Sequence, residues 1–229
     1  GPLEDGEQLV AIEHFRARLG AGGSTGMSER LMAMLRHADL LGTHPVDATS
    51  DALQALADAG LSTREIVTLS QVIAFVSFFV RVLQALELQP TDDVLEIGTG
   101  SGFVSACLGG LARDVTSLEL HADLAEAARA RLAGLNLDAN VRIETADALA
   151  YETERRYDAV CISAAVDAIP PRFVQWLRPG GRLFVVQGRA PAMRAVLVRN
   201  EASGLRIESL FETVLPYLVG AAPTPEFQF

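Results

Sequence analysis

The sequence predicts an α/β protein: a largely parallel sheet with helices on both faces, preceded by a wholly helical segment. Three observations carry this expectation. From Asp93 onward, short apolar runs of strand length alternate with helical stretches, the pattern of a parallel sheet buried on both sides. The run VLEI enters Gly98, Gly100 and Gly102, a strand-to-helix turn stripped of side chains. Between residues 27 and 88, apolar residues recur instead at helical spacing.

In chain order, residues 1–26 comprise a tag remnant (GPLEDGEQ in part), a short helix over Gln8 to Leu19, and a Gly/Ser-rich linker beginning at Gly20. Residues 27–88 form a helical cap or oligomerisation segment. Ser28 caps a helix over Glu29 to Leu41, and THPVDATS turns the chain into a second helix at Asp51 to Ala59. Gly60 ends that helix, Ser62 caps a third over Thr63 to Leu88, and Pro90 stops it. Its apolar run Val72 to Val80 is too short to span a bilayer before Arg81 and reads as a buried helix. Residues 89–229 form the sheet domain. VLEIG, DVTSLEL, VRIETAD, YDAVCISAA and RLFVVQG read as strands, with helices at Phe103 to Ala112, Ala122 to Ala133 and Arg172 to Leu177. A PGG turn precedes RLFVVQG, and Arg194 to Asn200 with Leu205 to Tyr217 make a closing strand pair.

Composition narrows the chemistry. All 19 basic residues are arginine, which excludes Schiff-base catalysis on lysine and the P-loop lysine. The net charge of −10 has no basic stripe within it, so no nucleic-acid partner is expected. Cys107 and Cys161 form no CxxC pair, and the four histidines have no metal-ligand spacing. With no secretory h-region and no expected membrane span, the chain reads as cytoplasmic.

A strand running into Gly98-Thr99-Gly100-Ser101-Gly102 presents backbone N–H groups at the carboxyl edge of the sheet, where open α/β sheets bind ligands. Three acids refine the choice of ligand. Glu96, just before the first glycine, opposes a pyrophosphate and suits a cation. Glu119 ends the second strand, where a carboxylate accepts both hydroxyls of a ribose. Asp147, followed by Ala148, ends the third strand, within reach of an adenine amino group. A cationic nucleoside, S-adenosyl-L-methionine, fits this set better than NAD, whose loop is usually G-x-G-x-x-G.

VLEIGTGSGF, SLEL, NVRIETADA, YDAVCISAAVDAIP and LRPGGRLFVVQG together resemble the protein-L-isoaspartate O-methyltransferases, from about Asp93 to Tyr217 and Leu218 when ESLFETVLPYL is included. The resemblance implies a Rossmann-like class I methyltransferase sheet using S-adenosyl-L-methionine, and an ionised carboxylate of an aspartyl or isoaspartyl peptide as acceptor. Thr68-Leu69-Ser70-Gln71 is similar to the family's TISQ motif, which implies an active-site role for Ser70. Ser163, Ala164 and Ala165 would then line the crevice. The proline after TISQ is Val72 here, and the family's VPR-x-x-F-V-type segment is not found. A second resemblance, over residues 35–86, is to the helices of the carboxymuconolactone decarboxylase and alkylhydroperoxidase-like family, without their cysteine pair. It implies a helical cap or a homodimer formed through the N-terminal helices. The expected partner is therefore a peptide, protein or small-molecule methyl acceptor. The alternatives are a small-molecule O- or N-methyltransferase of a specialised pathway, and a non-catalytic cofactor-binding interaction protein.

Overall fold

The computed structural model describes residues 28–224, and the short helix expected at Gln8 to Leu19 lies outside them. The chain divides into two compact units, Gly1–Val80 and Arg81–Phe229, with the boundary inside a long helix.

The first unit is helical. Helix α1, Glu29–Thr43, starts where Ser28 Oγ accepts the Leu31 N–H at 3.3 Å. A 3-10 turn over Pro45–Asp47 leads to α2, Ser50–Asp58, and Gly60 follows at φ +84°. Helix α3, Thr63–Leu86, opens with a capping box. The Ser62 N–H donates to Glu65 Oε2 at 2.8 Å, and the Glu65 N–H donates to Ser62 Oγ at 3.4 Å. Here the structure corrects the sequence reading. The run Val72 to Val80 is not buried: Val72 is 54%, Phe75 48% and Val80 45% exposed. Helical period shows that a face is apolar, not what covers it. By length and by its mean hydropathy of 2.1, α3 is the one helix among the described residues that meets the requirement for a bilayer span.

The last turn of α3 belongs to the second unit, where Val82 and Leu86 are completely buried. Arg182 Nε donates to the Leu86 carbonyl at 2.6 Å, and Glu87 at φ +47° ends the helix two residues before the expected Leu88.

Five parallel strands follow: β1 Asp93–Ile97, β2 Asp114–Glu119, β3 Val141–Thr145, β4 Tyr157–Val166 and β5 Leu177–Gln187. The antiparallel strands β6 Arg194–Glu201 and β7 Gly204–Glu212 complete the seven-stranded order β3-β2-β1-β4-β5-β6-β7. The PGG sequence does not precede the fifth strand as expected. It lies within β5, absorbed where Leu177 pairs with Tyr157 but Arg182 pairs with Ala159, a bulge that lets the extra residues loop out. Helices α4 Phe103–Leu111, α5 Ala122–Gly134 and the short α6 Pro171–Gln175 make the crossovers.

Both faces of the sheet are packed. Leu95, Ile97, Val160, Ile162 and Leu183 form a core with Phe173 and Trp176, whose rings stack at 5.2 Å. A smaller cluster joins Ala125, Ala128 and Leu132 of α5 to Ile143. At the amino edge, Asp93 is bound by Arg113 and Arg178, each at 2.7 Å. Burial pushes its pKa up, but the hydrogen bonds from the two guanidinium groups outweigh burial and hold it below the usual value. Strand order reverses between β1 and β4, so the opposite, carboxyl edge carries the crevice at which such sheets bind ligands.

Candidate cofactor site

The glycine loop follows β1 at that reversal. Gly98, Gly100 and Gly102 have φ of +95°, +51° and +81°, a region that side-chain-bearing residues rarely adopt. The Gly98 N–H pairs with the Leu118 carbonyl at 2.9 Å, which seats the loop against the end of β2. Beside it the crevice encloses about 140 Å³ between Gly98, Glu119, Asp147, Ala148 and Ala164, with the segment Tyr217–Val219 as its far wall.

The residues singled out in the sequence fall into four groups. Glu119, Asp147, Ala148 and Gly98 line the crevice. Glu119 Oε2 accepts the Gly100 N–H at 2.9 Å and Oε1 accepts the His121 N–H at 3.1 Å. A carboxylate has about four lone-pair sites, so both oxygens keep capacity for ribose hydroxyls. Asp147 Oδ1 accepts the Leu149 N–H at 2.9 Å in a local turn that fixes its carboxylate. Ser163 lies inside β4, packed beside Gly98 with its Oγ buried, and is not among the residues that line the crevice.

The second group lies behind the loop. Glu96 is completely buried and is not part of the crevice wall, which corrects the expectation that it faces a cation. Its Oε2 accepts the hydroxyls of Ser105 and of Ser117, the latter at 2.6 Å, while Oε1 has no partner. Ser117 also bonds Thr99 Oγ1 at 2.5 Å. The chain Glu96–Ser117–Thr99 therefore anchors the loop from beneath. Burial, opposed by the two serine hydrogen bonds and reinforced by the charge of Glu119, pushes the Glu96 pKa up to about 7.

Ser101 and Gly102, the third group, face the other way, into a cleft between α4 and α5. A Cβ on Gly102 would stand 3.4 Å from Ala128 Cβ, so this glycine serves helix packing and not a ligand cradle. Ser70, the fourth, lies in the helical unit. Its Oγ donates to the Ile66 carbonyl at 2.9 Å, so His37 Nε2, 3.0 Å away, carries the proton of the His37–Ser70 bond. The hydroxyl ties α1 to α3.

Sequence reasoning missed the wall Tyr217–Val219: it carried the closing strand to Tyr217, whereas β7 stops at Glu212. Pro216 and Gly220 bracket these residues and were the available signal of a turn back to the sheet. The Ala165 N–H donates to the Pro216 carbonyl, and the Leu218 N–H to the Ala165 carbonyl, both at 2.8 Å. Among the described residues, no three His, Cys, Asp or Glu side chains are grouped to hold a metal ion.

The site suits S-adenosyl-L-methionine on its own donors and acceptors: carboxylates at the ends of two neighbouring strands, beside a loop whose Gly98 and Gly100 leave the main chain bare and whose Thr99 side chain is turned into the protein. Fold and site together define a methyltransferase of the Rossmann-like class. The family model for protein-L-isoaspartate(D-aspartate) O-methyltransferase matches residues 49–216. A protein-L-isoaspartate O-methyltransferase of Koribacter versatilis is 33% identical over 155 residues, covering 67% of this chain and 69% of that protein. One from Rhodopseudomonas palustris is 34% identical over 200 residues, covering 86% and 89%. A structure from Plasmodium falciparum, described as a PCMT in complex with S-adenosyl-L-homocysteine, shares the fold at a TM-score of 0.52 and 15% identity, covering 83% of this chain and 90% of that one. The chain belongs to the protein-L-isoaspartate O-methyltransferase family, and S-adenosyl-L-methionine is its cofactor. Because the match begins at residue 49, α2 and α3 fall within this family's own extent.

Proposed function

We infer that the chain methylates the free carboxylate of an aspartyl or isoaspartyl residue in a peptide or protein. The observation that carries this reading is the pair Glu119 and Asp147 lining the crevice beside the glycine loop, in a chain with this family membership. The bound cofactor supplies an electrophilic methyl group on a sulfonium. Glu119 and Asp147 would hold its ribose and adenine, and Gly98 and Gly100 leave room for it on the main chain. The acceptor is already ionised at neutral pH, so the protein's task is alignment and exclusion of water, for which effective molarity contributes on the order of 7–11 kcal/mol. Ser70 belongs to this reading as a substrate-side residue, supported by its place in Thr68-Leu69-Ser70-Gln71.

The test is transfer of a tritiated methyl group to an isoaspartyl peptide, followed by mild base. A base-labile product supports the ester. Absence of label, or a base-stable product, overturns it.

A homodimer through the N-terminal helices completes the proposal. Val72, Val76 and Val80, one turn apart on α3, leave an apolar stripe exposed. The buried last turn of the same helix, held by Arg182, favours a second copy of the chain over lipid as its cover. Sedimentation of the wild type against Val76→Glu tests this, and a monomeric wild type refutes it. A cytoplasmic location is part of the same reading and accords with two unpaired thiols, Cys107 and Cys161.

A further inference from the structure

The cleft on the far side of the glycine loop is the larger cavity. It holds about 420 Å³, against about 140 Å³ for the crevice, and falls in the range of small-molecule sites. Phe103 and Ala106 of α4 form one wall; Leu132 of α5 and Leu135 and Leu137 just beyond it form the other. These are not all the well-covered side chains of a core: Leu137 is 44% and Leu135 62% exposed. The cleft is a preformed apolar slot open to solvent.

One charge stands in it. Arg131 lines the cleft and donates from Nη1 to the Ser101 carbonyl. Arg113, Arg155, Arg178 and Arg182 each pair with an aspartate, but Arg131 has no acidic partner among the described residues. A guanidinium carries five N–H donors in a planar fork that matches a carboxylate, and among the described residues Arg131 donates to the Ser101 carbonyl alone. Cys107 also lines the cleft, but burial first, and then the charge of Glu96, push its pKa up. The thiol stays protonated, and the cleft is suited to reversible, non-covalent binding.

We propose that this cleft is a second ligand site, distinct from the cofactor crevice, for a small aliphatic monocarboxylate. The chain of the ligand lies among Phe103, Leu132 and Leu135, and its carboxylate meets the fork of Arg131. Apolar lining supplies most of the affinity, and the single cation selects an acid over the alcohol of equal length. The site does not rest on the identity of the methyl acceptor.

Octanoate is the probe, titrated calorimetrically into the full chain with and without saturating S-adenosyl-L-homocysteine. Saturable binding is expected in both conditions, with 1-octanol weaker by tenfold or more, the factor set by one charge-assisted hydrogen bond. Arg131→Gln should impose the same loss. Leu135→Glu, at a largely exposed position where folding is not at stake, should abolish binding by placing a like charge at the rim. Three results each overturn the proposal: no saturable binding, equal affinity in Arg131→Gln, or displacement by the homocysteine product, which would place the acid in the crevice.

Discussion

Replacing Glu96 by glutamine tests the buried anchor of the glycine loop. The carboxyl is completely buried, with a pKa of about 7 against an ordinary 4.5. Between those values the native state holds a proton that the unfolded chain has released. Stability must therefore fall as pH rises through this window, by about 3 kcal/mol in all. Glutamine carries no proton to lose, so the difference between wild type and variant should change by that amount between pH 4.5 and 8. The absolute level of the variant is a poor guide. Its amide nitrogen falls where Oε1 now lacks a partner, a separate cost of about 1–3 kcal/mol. Denaturant unfolding at half-unit pH intervals measures the change directly, because all other titrations cancel in the difference. A wild-type-minus-variant difference that stays level across the window would refute the buried, proton-sharing account of Glu96.

Glu119→Ala removes the acceptor for two backbone N–H groups and for the ribose, and should weaken S-adenosyl-L-methionine binding by about 1.5–3 kcal/mol, read by calorimetry. Ser70→Ala should lower turnover with cofactor affinity nearly unchanged, while the loss of its bond to His37 costs about 1 kcal/mol in unfolding experiments. A change in stability alone would confine Ser70 to joining α1 and α3. Asp93→Asn should cost about 1.5–3 kcal/mol at neutral pH, since the carboxylate holds Arg113 and Arg178. This carboxyl is depressed in the fold, so its contribution is present above the ordinary value of 3.8 and disappears as pH falls through the depressed one. Acid-unfolding curves of the two proteins should converge there.

The order of strands and helices was legible because period and punctuation are local properties. VLEI, the alternate glycines, Pro90 and Gly60 each mark an element edge without reference to distant residues. The direction in which side chains point was less so. Five consecutive loop residues turn through positive φ at three of them, and this sends Gly98 to the crevice, Thr99 to the buried anchor and Ser101 to the cleft. Nothing in a G-x-G-x-G string reports that division. Glu96 was read by its charge, whereas its partners Ser105 and Ser117, 9 and 21 residues away, decide its state. Thr116 and Ser117, adjacent hydroxyls in the middle of the second strand, were the available hint, since buried hydroxyls need partners.

The far wall of the crevice is supplied by a stretch that follows all seven strands and is hydrogen-bonded to the end of β4 by the Ala165, Leu218 and Asp167 backbone N–H groups. Domains fold as units as the chain leaves the ribosome. A nascent polypeptide can therefore complete its sheet and still lack a finished nucleoside pocket until translation has passed Ala221. Truncations made just upstream of Pro216 would separate the two events: a folded scaffold on one side of the cut, and a ligand-competent one on the other.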